Sequence, residues 1–182
     1  LVAGGSFTSA GGLSAFHIAR WNGTSWSALG SGMGGAVLSL TMLPNGDLVA
    51  GGAFSTPGGV SANNIASWNG TSWSAMGSGM DGPVYALTML PNGDLVGGGD
   101  FTVSGGVSAS NIARWNGTGW SSLGSGMSGV PGWVRALTTL PNGDLVAGGE
   151  FTTAGGVNAN YIVRWNGTAW AGLGSGMSGP QG

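Results

Sequence analysis

The sequence predicts an all-β fold, a β-propeller built of four-stranded antiparallel blades, and three observations carry that prediction. The first is a repeat of 47–50 residues over residues 1–47, 48–94, 95–144 and 145–182, the first two units agreeing at 34 of 47 positions without a gap. Units of this length cannot bury their apolar faces alone and stack on their neighbours. The second is a set of seven Asn-Gly pairs, opening at Asn22, Asn45, Asn69, Asn92, Asn116, Asn142 and Asn166. Asn-Gly between β-prone runs is a hairpin signal, expected here with φ > 0 at both central residues. The third is negative. No segment keeps a 3.6-residue apolar period, and 41 glycines work against helices.

The second unit and its flanks show each element in order. Residues 84–90 (VYALTML) form a β-prone run that Pro91 ends, and Asn92-Gly93 turns the chain. Residues 94–101 (DLVGGGDF) make the partner strand. Its glycines weaken it in isolation and imply close approach to a neighbouring sheet. Residues 102–110 read as a Gly/Ser/Thr loop. Residues 111–115 (NIARW) are the third strand, Asn116-Gly117 the next turn, and residues 120–123 open a fourth strand that fades into GSGM. Four short strands joined by tight turns describe one propeller blade.

Counted this way, the chain starts on a second strand and ends after a fourth, giving three full blades plus one lacking its first strand. The expectation is a single propeller over 1–182, a segment of a larger ring, or a partial ring that a second copy completes. Because both ends fall inside a unit, with 179–182 (GPQG) short of the next strand, the sequence reads as a processed chain or part of something longer. An open arc leaves a strand edge bare, which invites self-association through the incomplete blade.

Composition narrows the function classes. Apolar residues make up 41% of the chain and nine are tryptophan, enough for a packed core. Only 5% are charged, with no lysine and a net charge of −2. Four cations cannot neutralise a useful row of phosphates, so no nucleic-acid partner is expected. No polybasic stretch suits an anionic membrane, and no apolar run reaches the roughly 18 residues of a spanning helix, so no membrane insertion is expected. The absence of cysteine excludes disulfides, thiolate metal sites and cysteine nucleophiles.

The motif from Gly4 to Asn22, GGSFTSAGGLSAFHIARWN, resembles the bacterial delta-60 type of repeat, with its Gly-Gly-x-Phe-Thr, a later glycine, then Ile-Ala-Arg and Asn. The order of apolar strand, Gly-Gly, aromatic and Trp is also similar to a kelch repeat. The wording RWNGTSWSALGSGM resembles repeats of large secreted or surface-exposed bacterial proteins. The chain departs from kelch repeats in carrying Trp21, Trp68, Trp115 and Trp165 where Tyr is usual. It departs from delta-60 repeats in a second tryptophan at Trp26, Trp73, Trp120 and Trp170. The resemblance implies a β-propeller in an extracellular or cell-surface setting and no single activity, since propellers host enzymes, lectins and adhesins alike.

Comparing the copies divides the molecule. Pro-Asn-Gly-Asp and Trp-Asn-Gly-Thr turns are invariant and belong to one face. The opposite face carries the second-to-third loops, which differ at Phe16-His17, Asn63-Asn64, Ser110-Asn111 and Asn160-Tyr161. It also carries the blade-crossing loops, which differ at Asp81 and in a longer segment, 128–133, that ends on Trp133. One inner-strand position reads Leu38, Tyr85 and Arg135. The position after Gly-Gly reads Ser6, Ala53, Asp100 and Glu150. Variable loops on a rigid scaffold are where binding usually resides. The candidate ligand or partner residues are therefore Phe16, His17, Asn63, Asn64, Asp81, Tyr85, Asp100, Asn111, Trp133, Arg135, Glu150, Asn160 and Tyr161.

Each candidate has a plainer reading. The eight repeat tryptophans are best read as core between blades. His17, the sole histidine, reads as a loop residue, and one histidine without cysteine cannot build a typical zinc site. Asp100 and Glu150 could pair as acid and base, but different blades separate them. Asp47, Asp94 and Asp144 follow from turn chemistry. Arg20, Arg114 and Arg164 share one position that Ser67 breaks, and a carboxylate pocket of the sialidase kind would need them to converge. The four Asn-Gly-Thr turns also fit the N-glycosylation pattern. No nucleophile–base pair, phosphate loop or metal cluster stands out, so no catalytic residue, metal or cofactor is expected. The leading expectation is a non-catalytic extracellular scaffold or binding module, adhesive or glycan-binding, whose partner is a glycan or a cell-surface protein. A self-assembling ring, fibre or layer protein, natural or designed, is the alternative, and a glycan-active enzyme domain the remote one.

Overall fold

The computed structural model describes residues 1–129 and 131–178, which leaves Val130 of the long crossing loop and residues 179–182 outside the described set. Among the described residues the structure is all-β, with a single 3-10 turn at Pro57–Gly59. Four principal sheets follow one another along the chain, each meandering in sequence order and antiparallel throughout. The first holds Val2–Gly4, Ile18–Trp21 and Trp26–Ala28. The second holds Ala36–Met42, Leu48–Ala53, Ile65–Trp68 and Trp73–Ala75. The third holds Val84–Met89, Leu95–Gly99, Ile112–Trp115 and Trp120–Ser122. The fourth holds Trp133–Thr139, Leu145–Glu150, Ile162–Trp165 and Trp170–Gly172. None of these sheets closes on itself.

The first strands lie side by side. Val84–Met89 packs against both Ala36–Met42 and Trp133–Thr139. The core accordingly lies between sheets rather than within one. Val49 and Ile65 of the second sheet share a buried cluster with Val84, Leu95, Phe101 and Trp120 of the third. Equivalent clusters join the first sheet to the second and the third to the fourth. A repeat that cannot bury its own apolar face does so on its neighbour.

The glycines of the second strands make this approach close. A methyl group added at Gly51 would lie 2.8 Å from Val84 Cγ1 of the next sheet. One added at Gly98 would collide with Val134 Cγ1 and lie 2.9 Å from Val134 Cβ. Gly148, at the matching position of the fourth sheet, would meet nothing nearer than the Tyr161 carbonyl oxygen at 3.8 Å.

The Asn-Gly turns differ from expectation in one respect: in all seven pairs glycine alone is left-handed, and the asparagine is not. Gly46 has φ of +90°, but Asn45 is not left-handed. Gly46 N–H donates to the Leu43 carbonyl at 2.9 Å and Leu43 N–H donates to the Asp47 carbonyl at 2.8 Å. This is a three-residue loop in which Pro44 and Asn45 form the turn and glycine takes the left-handed position that follows. Proline pre-sets the negative φ that the first turn residue needs, so the pair behaves as part of Pro-Asn-Gly rather than as an isolated Asn-Gly.

The loops read as irregular hold more structure than expected. Val103–Ser104 pairs with Val107–Ser108, and Ser9–Ala10 with Leu13–Ser14. Met127–Ser128, which follows the last strand of the third sheet, crosses to pair with Thr153–Ala154 of the fourth unit. The GSGM tail is thus a strap between units.

The close approach makes a paired prediction. Gly98→Ala should cost about 1–3 kcal/mol of stability through overpacking against Val134. Gly148→Ala should change it by less than about 1 kcal/mol in either direction. Urea unfolding of the two variants beside the parent checks the difference.

Candidate binding site on the variable face

The site starts from a bulge. Pairing of the first and second strands slips by one residue between Val84 and Ala86 and again between Val134 and Ala136. The extra residue is Tyr85 in the third sheet and Arg135 in the fourth, with Leu38 at the matching slip in the second. A bulge re-aims a side chain out of the ladder. Leu38 is 47% exposed as a result, and the Arg135 side chain is 42% exposed.

Because first strands of adjacent sheets pack together, Tyr85 and Arg135 meet. The Arg135 guanidinium carbon lies 4.6 Å from the Tyr85 ring centroid and 4.5 Å from that of Trp133. Its Nε donates to Glu150 Oε1 at 2.8 Å. Trp133 and Glu150 face each other across the first strand pair of the fourth sheet. Four of the sequence candidates, on two sheets, thus form one cluster where the crossing and second-to-third loops attach. A guanidinium over aromatic faces gains cation–π attraction, and the Glu150 carboxylate fixes its plane.

The other candidates divide into scaffold and accessible groups. His17, Asn64, Asn111 and Tyr161 share a left-handed backbone with φ near +63° to +64°. Each is held by backbone pairs; in the third sheet Asn111 N–H donates to Phe101 O at 2.8 Å and Gly99 N–H donates to Asn111 O at 3.0 Å. Asn tolerates this conformation, whereas His17 and Tyr161 hold it at a cost. The His17 ring nitrogen Nδ1 lies 3.2 Å from the Gly5 carbonyl oxygen. Asn64 donates its amide to Met80 O at 2.9 Å, and Asn160 donates to Ser175 O at 3.0 Å. The Asn63 carbonyl accepts from Met80 N–H at 3.0 Å. These residues build the loops. Phe16, 47% exposed, and Tyr161, 38% exposed, present apolar surface instead. Asp100 is half-buried at the end of its strand, its N–H donating to Pro83 O at 2.9 Å.

Asp81 ties two loops of this face together. Its carboxylate accepts from Thr102 N–H at 2.8 Å, the Thr102 hydroxyl at 2.6 Å and Val103 N–H at 2.9 Å. Desolvation alone would raise its pKa, but the hydrogen bonds from the Thr102 hydroxyl and the two backbone amides together hold it below the usual carboxylate value.

The invariant turns gather on the opposite face, where Pro44, Asn45, Asn92, Gly93, Asn116 and Gly117 line a common cavity. The arginines of the third strands do not converge there. Arg114 Nε lies 3.6 Å from Asp94 Oδ2, and Arg164 Nη1 lies 3.1 Å from Asp144 Oδ2. Each pairs with the turn aspartate of its own sheet, so a shared carboxylate pocket is not formed. Sequence reasoning found these aspartates and arginines separately and missed the pairing, although both recur at a fixed spacing. In the Asn-Gly-Thr turns the Asn Oδ1 is occupied. Asn22 Oδ1 accepts from Thr24 N–H, the Thr24 hydroxyl and Ser25 N–H, each at 2.9 Å.

Successive antiparallel meanders, one of three strands and three of four, packed side by side with loops segregated to two faces, define a β-propeller repeat protein. A family model, the Rax2 C-terminal beta propeller domain, matches residues 45–181. The chain belongs to that family. No individually curated protein matches it.

Asp81 carries a pH prediction. A carboxyl whose folded pKa is lowered contributes stability above its unfolded pKa and loses it as pH falls through the folded value. The stability gap between the parent and Asp81→Asn should therefore be full at pH 7 and close below about pH 4. Thermal melts of both proteins across that range check it.

Proposed function

We propose that this chain is a non-catalytic binding scaffold that engages a glycan or a cell-surface protein outside the cell through its variable face. The observation that carries this reading is the cluster of Tyr85, Trp133, Arg135 and Glu150. It combines what a sugar or a polar protein loop needs. Aromatic rings offer flat apolar faces, while a guanidinium and a carboxylate at 2.8 Å offer fixed donors and acceptors. The groups are held by strands rather than free loops, so little ordering entropy is lost on binding. Phe16 and Tyr161 add exposed aromatic surface on other loops of the same face.

The near absence of charge fits the same reading. With 5% charged residues, attraction to a partner rests on shape and hydrogen bonds rather than long-range steering. The resemblance to repeats of surface-exposed proteins supports an extracellular location and an adhesive role.

Glycan-array screening of the whole chain tests the proposal. Binding to a defined glycan class is expected, reduced roughly tenfold or more by Trp133→Ala, because truncating a central aromatic contact typically costs about 2 kcal/mol. Binding that Trp133→Ala and Arg135→Ala both leave unchanged, or a flat array together with no adhesion to cell surfaces, overturns it.

A further inference from the structure

The face of invariant turns, which the glycan-binding reading does not use, carries a second site. In the second, third and fourth sheets a Pro-Asn-Gly-Asp turn leads into the second strand, and its aspartate faces one third-strand position. Arg114 fills that position in the third sheet and Arg164 in the fourth, each directed at its aspartate. The aspartate side chains there are only 15% and 13% exposed. In the second sheet the position is Ser67, which pairs across the ladder with Val49 as Arg114 does with Val96. Asp47 Oδ2 accepts from the Asn45 amide at 2.9 Å, as Asp94 and Asp144 accept from Asn92 and Asn142, but among the described residues no arginine reaches it.

The space is a cavity of about 430 Å³ whose walls include Asp47, Ser67, Met76, Asp94 and Trp115. That size falls within the range of small-ligand pockets. Arg114 balances Asp94, so the charge of Asp47 is left uncompensated. The geometry points to a binding site for a guanidinium group, which enters the cavity and takes the place on Asp47 that arginine holds on Asp94 and Asp144. The two sister sheets are the independent record of this chemistry: the same turn aspartate pairs with a guanidinium twice in this chain, through a hydrogen bond at 3.1 Å from Arg164 and as an ion pair at 3.6 Å with Arg114. A planar guanidinium matches a carboxylate edge-on and lies against an aromatic or thioether wall, here Trp115 and Met76, more readily than a strongly hydrated ammonium does. The group arrives either on a small guanidine compound or on the arginine side chain of another protein.

Titration with agmatine and with a blocked Gly-Arg-Gly peptide, followed by NMR of the tryptophan indole signals, tests the site and separates its two sources. Binding of either probe, with a shift of the Trp115 signal, is expected; n-butylamine should bind at least several-fold more weakly. Asp47→Asn should weaken binding roughly tenfold, the scale of one charged hydrogen-bonded contact. Ser67→Arg should abolish it by supplying the guanidinium internally. Two sister sheets already carry arginine at this position, so Ser67→Arg should melt no lower than the parent, and its loss of binding is not a loss of fold. No binding by either probe at millimolar concentration, equal binding by n-butylamine, or undiminished binding in Ser67→Arg overturns the inference.

Discussion

The indole N–H of Trp73, Trp120 and Trp170 reaches back to the sheet before its own, and the stacking of the molecule depends on that reach. Trp120 donates to Met76 O at 2.9 Å, Trp170 to Leu123 O at 3.1 Å and Trp73 to Leu29 O at 3.4 Å. All three rings are buried, 4–7% exposed. A buried indole without a partner costs free energy, so the bond selects one relative placement of the two sheets. Within its own sheet each ring is held by the third-strand tryptophan opposite, with centroids 5.1–5.4 Å apart and planes tilted by 49–56°. The glycine–valine approach between second and first strands sets the spacing near the inner strands, and the tryptophans set it near the outer ones. Neither contact works without the other, because each fixes only one side of the same inter-sheet core.

Two faces follow from this frame. One end of the second, third and fourth sheets presents the same two turns, and the first sheet the Trp-Asn-Gly-Thr turn alone, since these turns are part of the strand pairing itself. The other end is free to vary, because the backbone bonds that hold His17, Asn64, Asn111 and Tyr161 do not depend on the side chain. The aromatic–arginine cluster arises where this freedom meets a bulge: the slip at Tyr85 and Arg135 turns side chains off the ladder, and the packing of first strands brings them together. Ser67 is the exception on the uniform face. It is the single third-strand position at which a polar stub replaces arginine, and the cavity beside Asp47 is its direct consequence.

Much of the fold was legible in the sequence because the repeat states each element several times over. Strand order, the shared face of the invariant turns, the burial of the fourth-strand tryptophans and the close approach at the second-strand glycines all follow from residue pattern. The turn geometry at the Asn-Gly pairs was not legible from the pair alone, since loop length rather than the dipeptide decides that glycine alone goes left-handed. The straps at Met127–Ser128 were missed because GSGM has no strand propensity; its pairing comes from a neighbouring unit. Of the candidate site, Tyr85, Trp133, Arg135 and Glu150 were each visible as departures from the repeat. Their convergence was not, because it depends on a bulge and on contact between sheets. Asn63, Asn64, Asn111 and Asn160 were also visible as departures, yet their amides and carbonyls are engaged in holding the loops. The pairing of Arg114 with Asp94 was hidden by twenty residues of intervening chain, the distance that a strand, a loop and another strand fold back on themselves.

Hydrogen exchange of the tryptophan indole protons tests the central claim most directly. Trp73, Trp120 and Trp170 each donate to the preceding sheet, whereas Trp26 holds the matching position with no such acceptor among the described residues. If these bonds hold the sheets together, the three indole protons exchange only with global unfolding, and that of Trp26 exchanges many-fold faster. Equal exchange at all four positions would contradict the account.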